Sequence, residues 1–280
     1  MIRIVLQYLY VAVAGLVVGP FLRGLAMRVE SATGEAGVPA MLSANPASGF
    51  AMLAGCLVIA GMLGAAASAL VSRATGFFTA GIAFAWVAWA HGSVGDLVRN
   101  TGRSDIGVPM AIEGSVLGAI AVACVWAIQR SARMRVIGEN ASQTMPDERP
   151  ITWQAIGADV SCLAGGVVAL AVARTDGAAQ VFGAAAAGTA CGVGVARLVT
   201  SLRVSALGHA VGIAALAACA PIAGMLLASV TVESVYAGEI SGLSRILPSQ
   251  WIAGMLIGLP VGIAFGDSLV DRGIEAESRR

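Results

Sequence analysis

Apolar runs of membrane-crossing length recur eight times along the chain, at Ile4–Leu22, Phe50–Val71, Thr75–Val94, Val108–Ile128, Trp153–Ala173, Ala178–Val199, Val204–Val230 and Pro248–Val270. A helix rises about 1.5 Å per residue, so about 20 residues cross a hydrocarbon core of about 30 Å. The pattern predicts an all-α fold, a polytopic transmembrane bundle of about eight helices. The polar stretches between the runs are short, and residues 1–280 read as a single integral membrane domain with no room for a separate soluble one. The first run is longer than a signal-peptide core and lacks a clear small-x-small cleavage site, so it reads as a retained helix.

Arginine placement orients the bundle. With a cytoplasmic N-terminus, 11 arginines fall inside: Arg3, Arg73, Arg130, Arg133, Arg135, Arg149, Arg197, Arg203, Arg272, Arg279 and Arg280. Six fall outside: Arg23, Arg28, Arg99, Arg103, Arg174 and Arg245. Both termini are therefore expected in the cytoplasm, and the expected location is a bacterial inner membrane. The weakest span is the fifth, where Gln154 and Asp159 dilute the first half.

The fourth and eighth runs align. Pro109, Ile112, Gly114 and Gly118 match Pro248, Ile252, Gly254 and Gly258, with proline opening each helix. The first and fifth share a Gly-to-Arg spacing, Gly15 to Arg23 and Gly166 to Arg174. These matches suggest tandem sub-repeats of four helices, 1–135 and 151–280, joined by a polar linker at 136–150. The competing explanation is the chance similarity of helices rich in Gly and Ala.

Glycine adds a packing expectation. Gly254, Gly258, Gly262 and Gly266 recur every fourth residue and leave one face of the last helix without side chains. In lipid such faces let backbones approach. Tight packing within the chain is the first expectation, and docking on a second copy or another membrane subunit is the sharper one. Pro221 and Pro260 sit near the middle of the last two helices and are candidate kinks.

Composition agrees with lipid as the main partner: 58% of residues are hydrophobic, 12% are charged, and mean hydropathy is +0.84. A net charge of +1 gives no electrostatic case for nucleic acid. Every basic residue is arginine, which a GC-rich code explains. Without lysine there is no Schiff-base cofactor attachment, and no cofactor or metal is expected. Cys56, Cys124, Cys162, Cys191 and Cys219 form no CxxC and read as small core residues. Trp86, Trp89, Trp126, Trp153 and Trp251 mostly suit interfacial belts. No HExxH, GxSxG or P-loop signature occurs, so zinc proteolysis, serine hydrolysis and P-loop ATP binding lack support.

Charge inside a bilayer is costly, which makes ionisable residues in spans the candidate sites. His91, Asp96 and Glu113 are expected near the outer ends of the third and fourth helices, with Arg99 and Arg103 nearby. Asp159, Arg197, His209 and Asp267 are expected near the inner ends of the last four helices, as an ion pair or gate, with Asp159 and Arg197 as the expected pair. None lies at a midplane, which argues against a proton pump. A small-solute permease with a path between the halves is the first functional reading. A non-catalytic subunit of a larger complex is second, and an enzyme acting on a lipid is third.

Overall fold

Asn45, Ser72 and Ser205 each accept a backbone N–H from the first turn of the helix they precede, and each such cap starts a long apolar helix. The computed structural model describes residues 2–101, 105–139, 151–200 and 204–278. Among them, eight helices are long and apolar enough to cross a membrane, which makes the chain a multi-pass integral membrane protein. They are α1 (Ile2–Ala26), α2 (Pro46–Leu70), α3 (Arg73–Ala90), α4 (Gly107–Glu139), α5 (Ile151–Val172), α6 (Ala178–Val199), α7 (Ala206–Leu227) and α8 (Pro248–Ser278). The fifth span is a continuous helix despite Gln154 and Asp159. Helix α4 runs to Glu139, beyond the expected start of the linker at 136, and residues 140–150 lie outside the described set. With an even number of spans, both ends of the chain emerge at one face, here the termini face; the other is the distal face.

Helix α1 is peripheral. Ile4, Val5, Tyr8, Leu16, Val17 and Phe21 are exposed, and only a stripe containing Ala14, Leu22 and Ala26 is buried. A π-helical turn at Ala14–Val18 interrupts it. Pro20, after Gly19, has no N–H for the Leu16 carbonyl, so the helix widens just before the proline. Gly19 then lets the indole of Trp86 lie against the α1 backbone.

Helix α8 is central and touches α6, α3, α7 and α4. Its glycine face meets α6. A Cβ on Gly254 would lie 2.7 Å from the Ala185 Cβ, one on Gly258 2.5 Å from the Ala186 oxygen, and one on Gly266 2.8 Å from the Arg197 Cβ. Gly262 lies against the Ala190 carbonyl in the same way. Gly64 and Gly76 make a reciprocal approach between α2 and α3, and Gly165 and Gly188 between α5 and α6. The glycine face of α8 is therefore occupied within this chain.

Helix pairing has a regular part. α2 packs on α4 as α6 packs on α8, α1 on α3 as α5 on α7, and α4 on α7 as α8 on α3. Two pairings depart from it: α2 and α3 pack closely where α6 and α7 barely touch, and α5 and α6 pack closely where α1 and α2 do not.

The distal loops form an apolar cap of their own. Val29, Val38, Leu42, Leu97, Ile106, Met110, Val230, Val235, Ile240 and Leu247 make a second buried cluster. It includes the short helices Val94–Thr101 and Val232–Ala237. Gly37, at φ +75°, lets this cap touch the Ala90 carbonyl at the end of α3. Arg245 fastens it. The guanidinium is buried, lies 3.1 Å from Asp176, and donates to the carbonyls of Arg174, Gly238 and Ile240.

Two expectations about side-chain placement change. Cys191 and Cys219 are exposed rather than core, because they fall on the outward faces of α6 and α7. Trp251 is fully buried in the main core rather than exposed to lipid headgroups.

Replacing Gly258 by Leu should destabilise the bundle by about 1–3 kcal/mol, since the new side chain has to displace α6 backbone. Gly183→Ala, where an added Cβ meets nothing within 4 Å, should be neutral. Thermal unfolding of the two variants in detergent checks the contrast.

Candidate functional site

Polar side chains collect in two layers, one near each face. The distal layer begins where α3 ends and α8 starts. Gln250 accepts the Leu247 N–H at 2.8 Å and donates to the Gly92 carbonyl at 3.1 Å. It thereby caps α8 and ties it to α3. His91 is buried, and its Nδ1 lies 2.8 Å from the Ser249 hydroxyl. Its Nε2 is buried without a partner, as are the Ser244 hydroxyl and the Trp251 indole N–H.

Glu113 is fully buried on α4, and its Oε2 accepts the Met41 N–H at 3.2 Å. The donor belongs to the short 3-10 turn Ala40–Leu42, so this carboxyl holds the α1–α2 loop onto α4. Its second oxygen has no hydrogen-bond partner. Asp96 takes bonds from Ser93 at 2.7 Å and Arg99 at 3.4 Å, in the short helix Val94–Thr101. No hydrogen bond or ion pair joins any two of His91, Asp96 and Glu113. Each is committed to a different neighbour, and Arg103 lies outside the described residues.

The second layer lies toward the termini face. Arg197 is nearly buried and pairs with Asp267, its Nε 2.6 Å from the carboxylate, while Nη1 donates to the Val204 carbonyl at 3.1 Å. The Gly266 approach sets this pair, since it brings α8 against Arg197. The partner of Arg197 is thus Asp267 and not the expected Asp159, which is exposed on the outward side of α5. His209 is buried, with Nδ1 2.8 Å from the Ser161 hydroxyl, and that hydroxyl reaches the Gly157 carbonyl at 2.7 Å.

Helices α4 and α7 form the main contact between the two halves of the chain, and their separation changes along their length. Near the distal face they touch through backbone. Gly114 lies against the Ala217 carbonyl, which Pro221 cannot bond because it has no N–H. A Cβ on Gly118 would be 3.1 Å from that of Ala214. Toward the termini face the helices part around a cleft of about 600 Å³. Trp126, Gln129, Arg130, Arg133 and Met134 of α4 line one side, and Gln154, Ser205, Leu207, Gly208 and Val211 line the other. At the distal end of the same seam the described residues enclose a void of about 10 Å³ beside Met110, Pro221, Met225 and Ser244.

This cleft, Ser249, Gln250 and the Arg245–Asp176 pair were not expected from the sequence. Arg130 and Arg133 carried a visible signal as a basic cluster, which topology alone explained. Ser249 and Gln250 carried a weaker one, following Pro248 at a helix start where side-chain caps occur.

Among the described residues no group of His, Cys, Asp and Glu is arranged to hold a metal ion. No family model, no curated protein and no solved structure matches this chain.

Glu113→Gln should fold normally, because an amide oxygen can still accept the Met41 N–H. Glu113→Ala should lose about 1–3 kcal/mol by orphaning that donor. Equilibrium unfolding of both variants, with hydrogen exchange at Met41, distinguishes them.

Proposed function

We propose that the protein is a small-solute permease whose path follows the α4–α7 seam, with the cleft as its vestibule at the termini face. The observation that carries this reading is the asymmetry of the seam: backbone contact at Gly114 and Gly118, and a cleft of about 600 Å³ below them. A carrier in a state open to one side needs a sealed end and an open end on one helix pair. The distal cap and the His91–Ser249 and Gln250–Gly92 links supply the seal. His91 bridges α3 and α8 through Ser249, so it would feel any movement of the halves, whereas Glu113 ties the α1–α2 loop to α4 within one half.

The reciprocal pairing of α4 on α7 and α8 on α3 supports the tandem reading of two four-helix units, 1–135 and 151–280. The expected setting is a bacterial cytoplasmic membrane with both termini inside, where the cleft would open to the cytoplasm.

The alternative is a non-catalytic subunit of a larger membrane complex. The broad exposed face of α1 favours it, since Ile4, Val5, Tyr8, Leu16, Val17 and Phe21 could meet another subunit as well as lipid. Native mass spectrometry after mild extraction from the source membrane separates the two. A lone 28.0 kDa chain or its homo-oligomer is the expected result for a permease. Stoichiometric foreign chains would replace that reading with the subunit one.

A further inference from the structure

We infer that the cleft between α4 and α7 binds the phosphate-bearing headgroup of an anionic phospholipid from the leaflet at the termini face. The inference uses the same cleft as the permease reading but does not require transport.

Four observations converge. First, among the described residues the charged groups on the cleft wall are Arg130 and Arg133, and none of the described lining residues is acidic. Neither arginine has a carboxylate partner among the described residues. Arg130 instead lies over the Trp126 ring, 5.4 Å from its centroid. Second, Gln129 adds an amide at the same level, beside Gln154, whose Oε1 accepts the Ser205 N–H at 3.0 Å and the Ser205 hydroxyl at 2.8 Å.

Third, the facing wall is the N-terminus of α7, a helix of 22 residues. Ser205 takes the Gly208 N–H, and the Ala206 and Leu207 amides have no partner within the helix. A negative charge is favoured there.

Fourth, polarity changes with depth in the order that a lipid requires. Trp126 lies about 10 Å deeper than Arg133 along α4, and Val211 lies about 9 Å deeper than Ser205 along α7. The polar lining is therefore at the membrane surface, and Trp126, Leu207 and Val211 continue inward. Trp126 and Val211 are about half exposed, at 51% and 47%. A small hydrated anion would leave those apolar walls uncovered, whereas an acyl chain would cover them. Phosphate recognition by paired arginines is common to a headgroup and a soluble phosphate ester, and the depth profile selects the lipid.

The test titrates purified, delipidated full-length protein by native mass spectrometry. The probes are phosphatidylglycerol, phosphatidylcholine and sn-glycerol 3-phosphate. The variants are Arg130→Gln/Arg133→Gln and, as a control with the same loss of charge, Arg23→Gln/Arg28→Gln at the distal face. Thermal unfolding confirms that both variants fold.

Phosphatidylglycerol should bind the native protein more tightly than phosphatidylcholine. The cleft variant should bind it about 30-fold more weakly, the combined strength of two arginine contacts to an anionic lipid. The distal variant should bind as the native protein does. Equal affinity for the two lipids, or equal loss in both variants, would overturn the inference. So would glycerol phosphate binding as tightly as the lipid, which would make the cleft a site for soluble anions. Lipid binding with an immobile seam would remove the permease and leave this site standing. A seam that moves without lipid selectivity would do the reverse.

Discussion

Close approach of helix backbones is the constraint on which this structure depends. Lipid tails are as apolar as leucine, so helices in a bilayer gain little by burying side chains against one another. Contact has to come from dispersion and weak Cα–H···O bonds at short range, and only small residues permit that. Gly254, Gly258, Gly262 and Gly266 place α8 against α6 without intervening side chains. α8 can then lie at the centre and reach α3, α4 and α7 as well. The Arg197–Asp267 pair follows from the same contact, because Gly266 lets the two helices meet where those side chains start.

The same constraint explains why the α4–α7 seam is tight at one end and open at the other. Gly114 and Gly118 permit contact near the distal face. Eight to fifteen residues beyond Gly118 the cleft-lining positions of α4 are Trp126, Gln129, Arg130 and Arg133, whose side chains are too large for such an approach. The helices part there, and the space between them is lined by polar groups and apolar walls together. Pro221 fits this division, since the Ala217 carbonyl it leaves unbonded faces the glycine that comes closest to it. A seam with a packed end and a polar open end suits a passage that opens by tilting one half on the other.

The helical part of the fold was legible because a bilayer imposes its thickness on the sequence. All eight runs correspond to helices, and the run Ala178–Val199 matches its helix at both ends. The glycine face of α8 was equally plain, since a four-residue repeat can only line one side of a helix. Partners of charged residues were less legible. Asp159 and Asp267 are both near the depth of Arg197, and depth alone does not reveal which helix α6 touches there. His91, Asp96 and Glu113 likewise share a level without sharing a neighbour, because a loop turn, a helix start and a short surface helix each claim one of them. The cleft was hidden for a related reason. Its walls come from residues about 80 apart in the chain, and its arginines resemble an ordinary topological anchor until α7 is placed opposite them.

Whether the seam moves can be measured directly. Met110, buried at the sealed distal end, is replaced by cysteine in a background whose five native cysteines are removed. Arg133 and Leu207, on opposite walls of the cleft, are changed to cysteine and bridged by a short bismaleimide while position 110 is still sealed. A membrane-impermeant maleimide is then applied from the distal side of oriented proteoliposomes. A moving seam predicts that closing the cleft accelerates labelling at position 110 by at least about tenfold, as the distal end opens in exchange. Labelling that is equally slow with the cleft bridged or free would mean a static seam and would contradict the permease.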